Sequence, residues 1–139
     1  IPNYGWAISS YGEHYGGKKV SFNKKKYLKY PLHKSHSEYN FIEPVIYFNP
    51  SIGISQIVGL DIDNSYVVAS MKDESLYFFE YEYNDEKITT PNKVSNGNSD
   101  NIKIERVHIG ERIRDMIYYN EKLYLYLEDT ASIAEVSLN

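Results

Sequence analysis

Two arginines one residue apart, Arg112 and Arg114, stand inside the run Gly110-Glu111-Arg112-Ile113-Arg114-Asp115. In an extended chain, residues i and i+2 project from the same face, so this spacing aims two permanent guanidinium charges one way with Ile113 on the other side. Each guanidinium can donate two parallel hydrogen bonds to a carboxylate, and the pair therefore suits a planar ligand carrying several anionic groups. The plainer alternative is a pair of solvated surface arginines answering Glu111 and Asp115.

Such a pair needs strands to hold it, and the rest of the chain supplies strand signals. Tyrosine is the compositional outlier with 15 copies among 139 residues, and its apolar body with a polar tip favours pleated surfaces. Residues 1–43 read as irregular and polar, and a short apolar run at 45–48 is closed by Asn49-Pro50. Strands are then predicted at 54–62, 66–71, 75–83 and 102–109, with 91–101 as a polar loop. In the third of these, Tyr77, Phe79, Tyr81 and Tyr83 alternate with Glu80 and Glu82. A second cycle follows at 113–118, 122–127 and 132–138, with turns at Asn120-Glu121 and Glu128-Asp129-Thr130. Ile113, Met116 and Ile117 also fit a helical spacing, but Tyr118, Tyr119 and the hairpin signal after them favour a strand.

Four short strands followed by three more predict an all-β protein built as a β-propeller fragment: one four-stranded blade plus a three-stranded partial blade. The expected organisation is an irregular connecting region at 1–53, a complete blade at 54–109 and a partial last blade at 110–139. A small seven-stranded sandwich accommodates the same strand count.

Composition removes several classes of function. A hydrophobic content of 42% and a charged content of 24% describe a globular chain. The net charge of −4 argues against nucleic acid as a partner. Lys24-Lys25-Lys26, with Lys18, Lys19 and Lys29 nearby, reads as a solvated loop. With no cysteine there is no disulfide, cysteine-type zinc site or thiol nucleophile. No apolar run approaches the ~20 residues that span a bilayer, so no membrane partner is expected. The start at Ile1-Pro2-Asn3, without methionine or a signal-like segment, reads as the interior of something longer. His33 and His36 have a spacing that suits a metal on a helix, but no helix is evident there and no metal site is expected.

Several segments in order resemble the C-terminal part of the soluble quinoprotein glucose/sorbosone and aldose dehydrogenases. Asn3-Tyr4-Gly5-Trp6, followed by Ser10-Tyr11-Gly12 and Tyr15, is similar to that family's Asn-Tyr-Gly-Trp-Pro segment, with Ala7 in place of the proline. Glu43-Pro44-Val45 through Asn49-Pro50-Ser51-Ile52 resembles its Pro-Val … Asp-Pro-x-Ile segment, and Gly53-Ile54-Ser55-Gln56 departs from the Ala-Pro-Ser-Gly that follows there. Ala69-Ser70-Met71-Lys72 resembles a Leu-Lys strand end. The run from Gly110 to Asp115 matches Gly-Glu-Arg-Ile-Arg-Asp, and Leu123 to Asp129 resembles Leu-Tyr-x-Leu-x-Asp.

The resemblance implies a six-bladed propeller of which this chain is the C-terminal third, working in the periplasm or outside the cell, although no signal sequence stands in this chain. It implies pyrroloquinoline quinone, a flat tricarboxylate, as cofactor, an aldose sugar as substrate, and hydride transfer from the sugar to the quinone. Lys72, Arg112 and Arg114 are the implied cofactor contacts, with the Ser51 hydroxyl a weaker one. The plain alternative for Lys72 is a turn lysine paired with Asp73 or Glu74. Tyr4 and Trp6 are candidates for a sugar-binding mouth, with blade packing as their alternative role. The family's histidine base, its helper arginine and its calcium site lie upstream of these segments. His14, His33, His36 and His108 match no catalytic position, so no catalytic residue and no calcium ligand is assigned here. The remaining blades, or a self-associated copy, are expected to cover open edges. The alternative function is a non-catalytic, propeller-derived binding or self-assembling module.

Overall fold

Turn chemistry divides the chain where the sequence places it. Asn64 (φ 59°) and the pair Asn120 and Glu121 (φ 49° and 60°) adopt left-handed backbone, the conformation that tight hairpin turns require. The computed structural model describes residues 1–5, 8–12, 33–82 and 91–138. Among these residues it contains ten strands and one 3-10 turn at Ser37–Tyr39. The strands are β1 (Ile46–Phe48), β2 (Ile54–Gly59), β3 (Ser65–Ser70), β4 (Ser75–Glu80), β5 (Asn92–Ser95), β6 (Asn98–Ser99), β7 (Ile104–His108), β8 (Ile113–Tyr119), β9 (Lys122–Leu127) and β10 (Ser132–Ser137).

They form a four-stranded sheet in the order β2-β3-β4-β7 and a three-stranded sheet in the order β8-β9-β10, both antiparallel throughout. The fold is thus all-β, with one four-stranded blade followed by a three-stranded partial blade. β2 and β8 belong to different sheets, which removes the alternative in which they pair within one layer of a sandwich. The segment 91–101, expected to be a loop, instead forms β5 and β6, with β5 running parallel to β1 in a small third sheet. Val94 carries the one buried side chain of β5 and β6, so no apolar alternation announces the strands.

Side-chain alternation decides which faces meet. Leu123, Leu125 and Leu127 point inward from β9. Together with Ile113 and Met116 they pack against Val67, Ala69 and Leu76 of the first sheet. Each fully buried leucine of this kind contributes about 1.5–3 kcal/mol. The opposite face of the first sheet carries Val68, Tyr77 and Phe79, packed with Ile52 and Val94. Phe48 meets Tyr77 edge-on at 5.1 Å, and Tyr66 stacks on Phe79 at 5.6 Å.

β2 and β8, the first strand of each sheet, share one irregularity. The register slips between Ile54 and Gln56 and again between Ile113 and Asp115, leaving Ser55 and Arg114 as extra residues outside the ladder. In each bulge the next side chain satisfies the following amide: Gln56 Oε1 accepts from Ile57 N–H at 3.0 Å, and Asp115 Oδ1 from Met116 N–H at 2.8 Å. The two bulges also touch, through Gln56 Nε2 donating to Asp115 Oδ1 at 3.4 Å. The extra residue in β8 explains the helix-like spacing of its sequence: a bulge returns Ile113 and Met116 to one face at i and i+3. Both are buried.

Candidate functional site

The site is a rim where three backbone segments end together. At the start of β2, Gly53 takes φ +66°, and a side chain there would press within 3.3 Å of Lys72. This conformation lets residues 51–53 lie along the end of β3. Met71 N–H donates to Gly53 O at 2.8 Å, Lys72 N–H to Ile52 O at 2.9 Å, and the Ser70 hydroxyl to the same Ile52 carbonyl at 2.6 Å. Ser51 and Lys72 are therefore held on adjoining segments. The start of β8 joins them, because Arg114 Nη1 lies 3.7 Å from Met71 Sδ, the neighbour of Lys72.

Both arginines close on one carboxylate. Arg114 Nη2 donates to Glu128 Oε1 at 2.7 Å, and Arg112 Nε lies 3.0 Å from Glu128 Oε2. The Arg114 hydrogen bond, with the charges of Arg112 and Arg114, holds the Glu128 carboxyl below its ordinary range. The contact with Arg112 is less well made. Its N–H is not aligned for a hydrogen bond, and Oε2 has no hydrogen-bond partner although it is out of reach of solvent. The partner of the pair is thus neither Glu111 nor Asp115. Glu111 accepts from the Thr130 N–H and hydroxyl, both at 3.0 Å, while Asp115 is committed to the bulge. Sequence reading missed Glu128, yet hairpin register points to it. Ile113 pairs with Leu127, which sets Glu128 opposite Arg112, and Glu128 N–H donates to Arg112 O at 2.9 Å.

Lys72 is exposed and forms no ion pair among the described residues. The pairing with Asp73 considered for it is taken instead by Arg106, whose Nε donates to Asp73 Oδ2 at 2.8 Å. Tyr77 OH donates to the same oxygen at 2.6 Å. Burial alone would raise the Asp73 pKa, but these donors outweigh it and the carboxyl titrates below its ordinary value. Burial, then Asp73, pushes the Tyr77 hydroxyl up to about 12. Asp73, Tyr77 and Arg106 line one side of a cleft of about 300 Å³ whose apolar side is Phe48, Pro50, Ile52 and Val94.

The remaining candidates lie apart from the rim. Tyr4 is 65% exposed on the first described segment, where Ile42 N–H donates to Asn3 O. No hydrogen bond or ring contact joins Tyr4 to the arginines among the described residues. Trp6 and His14 lie outside the described residues. His33 Nδ1 is 2.8 Å from Tyr39 OH, and His108 Nδ1 is 3.3 Å from Ser75 Oγ. His36 is buried beside Glu43, which accepts from the His36 and Ser37 amides and from Tyr11 OH, each at 2.9 Å. No group of three or more His, Cys, Asp or Glu side chains that could hold a metal occurs among the described residues.

The chemistry of the rim is that of an anion site: two guanidinium groups on one strand start, an ammonium one residue from Met71, and a hydroxyl on the adjoining segment. One carboxylate, that of Glu128, already lies between the guanidinium groups. The family model described as Glucose / Sorbosone dehydrogenase matches residues 2–134. No curated protein and no solved structure matches the chain.

Proposed function

Because the chain belongs to the glucose/sorbosone dehydrogenase family, we propose that it supplies the cofactor-binding rim of a quinone-dependent sugar oxidoreductase. The observation that carries this reading is the convergence of Arg112 and Arg114 on a single carboxylate, beside a Lys72 that forms no ion pair among the described residues. Pyrroloquinoline quinone has three carboxylates on a flat ring system, and the donor set fits it. Arg112 and Arg114 would hold carboxylates, Lys72 would place a compact charge against a carboxylate or quinone oxygen, and Ser51 would add a hydroxyl. When bound, the quinone supplies the two-electron acceptor for oxidation of an aldose. The protein's part at this rim is to bind and orient it.

No proton-transfer role is assigned to His33, His36 or His108, and a positioned base contributes about 10²–10⁴-fold. The chain on its own is therefore expected to bind quinone without oxidising sugar, with the base, its helper arginine and the calcium site carried by further blades. Such blades, or another copy of this chain, would also cover the outer face of β8-β9-β10, where Ile117, Tyr119, Tyr126 and Ile133 are exposed. That face supports a second reading, a non-catalytic module that assembles through its sheets, which light scattering of the purified chain distinguishes by mass. A periplasmic or extracellular setting goes with the family reading. Among the described residues no helix is long and apolar enough to cross a membrane.

The deciding experiment titrates quinone-free protein with pyrroloquinoline quinone as wild type and as Arg112→Ala. The expected result is loss of at least about tenfold in affinity, a difference of about 1.4 kcal/mol, with an unchanged melting temperature in the absence of quinone. Unchanged affinity with a lowered melting temperature would make the pair structural and sink the proposal.

A further inference from the structure

Resting on the reading of this rim as a carboxylate site, we propose that Glu128 is its resident carboxylate, fixing Arg114 and yielding Arg112 to the incoming ligand. Backbone pairing sets the Glu128 main chain opposite Arg112, since its N–H donates to Arg112 O at 2.9 Å. Arg114 is held at both arms of its fork, by Glu128 Oε1 at 2.7 Å and by Met71 Sδ at 3.7 Å. Arg112 is held by charge alone: Oε2 is 3.0 Å from its Nε but receives no hydrogen bond from it or from any other group. A shielded carboxylate oxygen without a donor is an unfavourable arrangement, and a ligand carboxylate that meets Arg112 squarely exchanges a poor contact for an aligned one. The two arginines therefore divide their work. Arg114, with Glu128, positions the fork, and Arg112, whose side chain is 45% exposed, recruits the anion.

The test titrates pyrroloquinoline quinone and, separately, citrate into the whole protein at fixed ionic strength. Four forms are compared: wild type, Glu128→Gln, Arg112→Ala and the double variant. Glutamine keeps an acceptor of the same shape for Arg114 while removing the competing negative charge. A unit charge about 5 Å from the ligand in a largely aqueous setting is worth about a three- to tenfold change in affinity. Glu128→Gln is accordingly expected to bind both anions about three- to tenfold more tightly, with the gain abolished in the Arg112→Ala background. A residue that served only the fold would weaken binding when changed, never tighten it. Weaker or unchanged binding of both anions by Glu128→Gln overturns the proposal, as does its failure to bind either. A gain that survives loss of Arg112 overturns the division of labour. Tighter citrate binding without quinone binding leaves the role of Glu128 standing and removes the cofactor reading instead.

Discussion

The sheets β2-β3-β4-β7 and β8-β9-β10 are built from similar strands, yet one is covered on both faces and the other on one. In the first, Val67, Ala69 and Leu76 face the second sheet while Val68, Tyr77 and Phe79 face Ile52 and Val94. In the second, the leucines of β9 are covered, but Ile117, Tyr119, Tyr126 and Ile133 on the opposite side are exposed. The matched bulges make the two sheets comparable residue by residue: Ile54 and Ile57 of β2 correspond to Ile113 and Met116 of β8. The latter are buried against the first sheet, and the former are each 53% exposed. The side of β8 that carries Ile113 and Met116 faces the first sheet, while the matching side of β2 leaves Ile54 and Ile57 exposed beside the part of that face covered by Ile52 and Val94.

The largest expected effect lies on the doubly covered sheet. Phe79→Ala is expected to cost about 3–5 kcal/mol, and Leu125→Ala in the shared core about 2–5 kcal/mol, both read from urea denaturation. A loss at Phe79 below about 1 kcal/mol would mean that the first sheet's second face is not packed in solution, and the contrast would disappear. Asp73→Asn is expected next, at about 1–2 kcal/mol at neutral pH, because it weakens the acceptor shared by Tyr77 and Arg106. The folded carboxyl titrates below its ordinary 3.8. Its contribution is thus complete above that value and lost as the pH falls through the lower, folded one. Melting temperatures of wild type and Asp73→Asn should converge as the pH is taken below 3.8, and a gap that widened there would contradict the assignment. The smallest effect belongs to the open face, where Ile117→Thr and Ile133→Thr are expected to stay within about ±0.5 kcal/mol. Losses there as large as at Leu125 would show that another sheet or another copy covers the face.

Much of this arrangement was legible in the sequence, because period-2 alternation and left-handed turn residues are local signals. Leu123, Leu125 and Leu127 announce β9, and Asn120-Glu121 announces the hairpin before it. β5 and β6 were not legible through hydrophobicity, since their pairing rests on backbone hydrogen bonds and a single buried valine. Asn96-Gly97, with φ of 53° and 82°, is the one local clue to them, as a two-residue hairpin turn. The alternation of Tyr77, Phe79 and Tyr81 with polar residues suggested a one-sided β4. Leu76 and Phe78 on the other side are also covered, by a sheet some forty residues later, and no local pattern reports that. At the rim, the arginines were legible as a pair because their spacing is local. Their carboxylate was not, because Glu128 reaches them only through strand register. The sequence reading of Lys72 and Ser51 as cofactor contacts came from family likeness, and their adjoining placement depends on the left-handed Gly53.

The bulges of β2 and β8 have a consequence for how such a rim can change over time. Ser55 and Arg114 sit outside the ladder, and the amide that each bulge frees is satisfied by the following residue, Gln56 or Asp115, rather than by the extra residue itself. The extra position is thereby released from strand pairing, leaving the Ser55 hydroxyl to donate to Ala69 O at 3.3 Å and Arg114 to reach Glu128, and mutation can try a hydroxyl in one sheet and a guanidinium in the next while the ladder stays as it is. A stack of such sheets carries a set of interchangeable posts around one rim. Binding chemistry can drift from ligand to ligand one post at a time, without the chain having to find a new fold on the way.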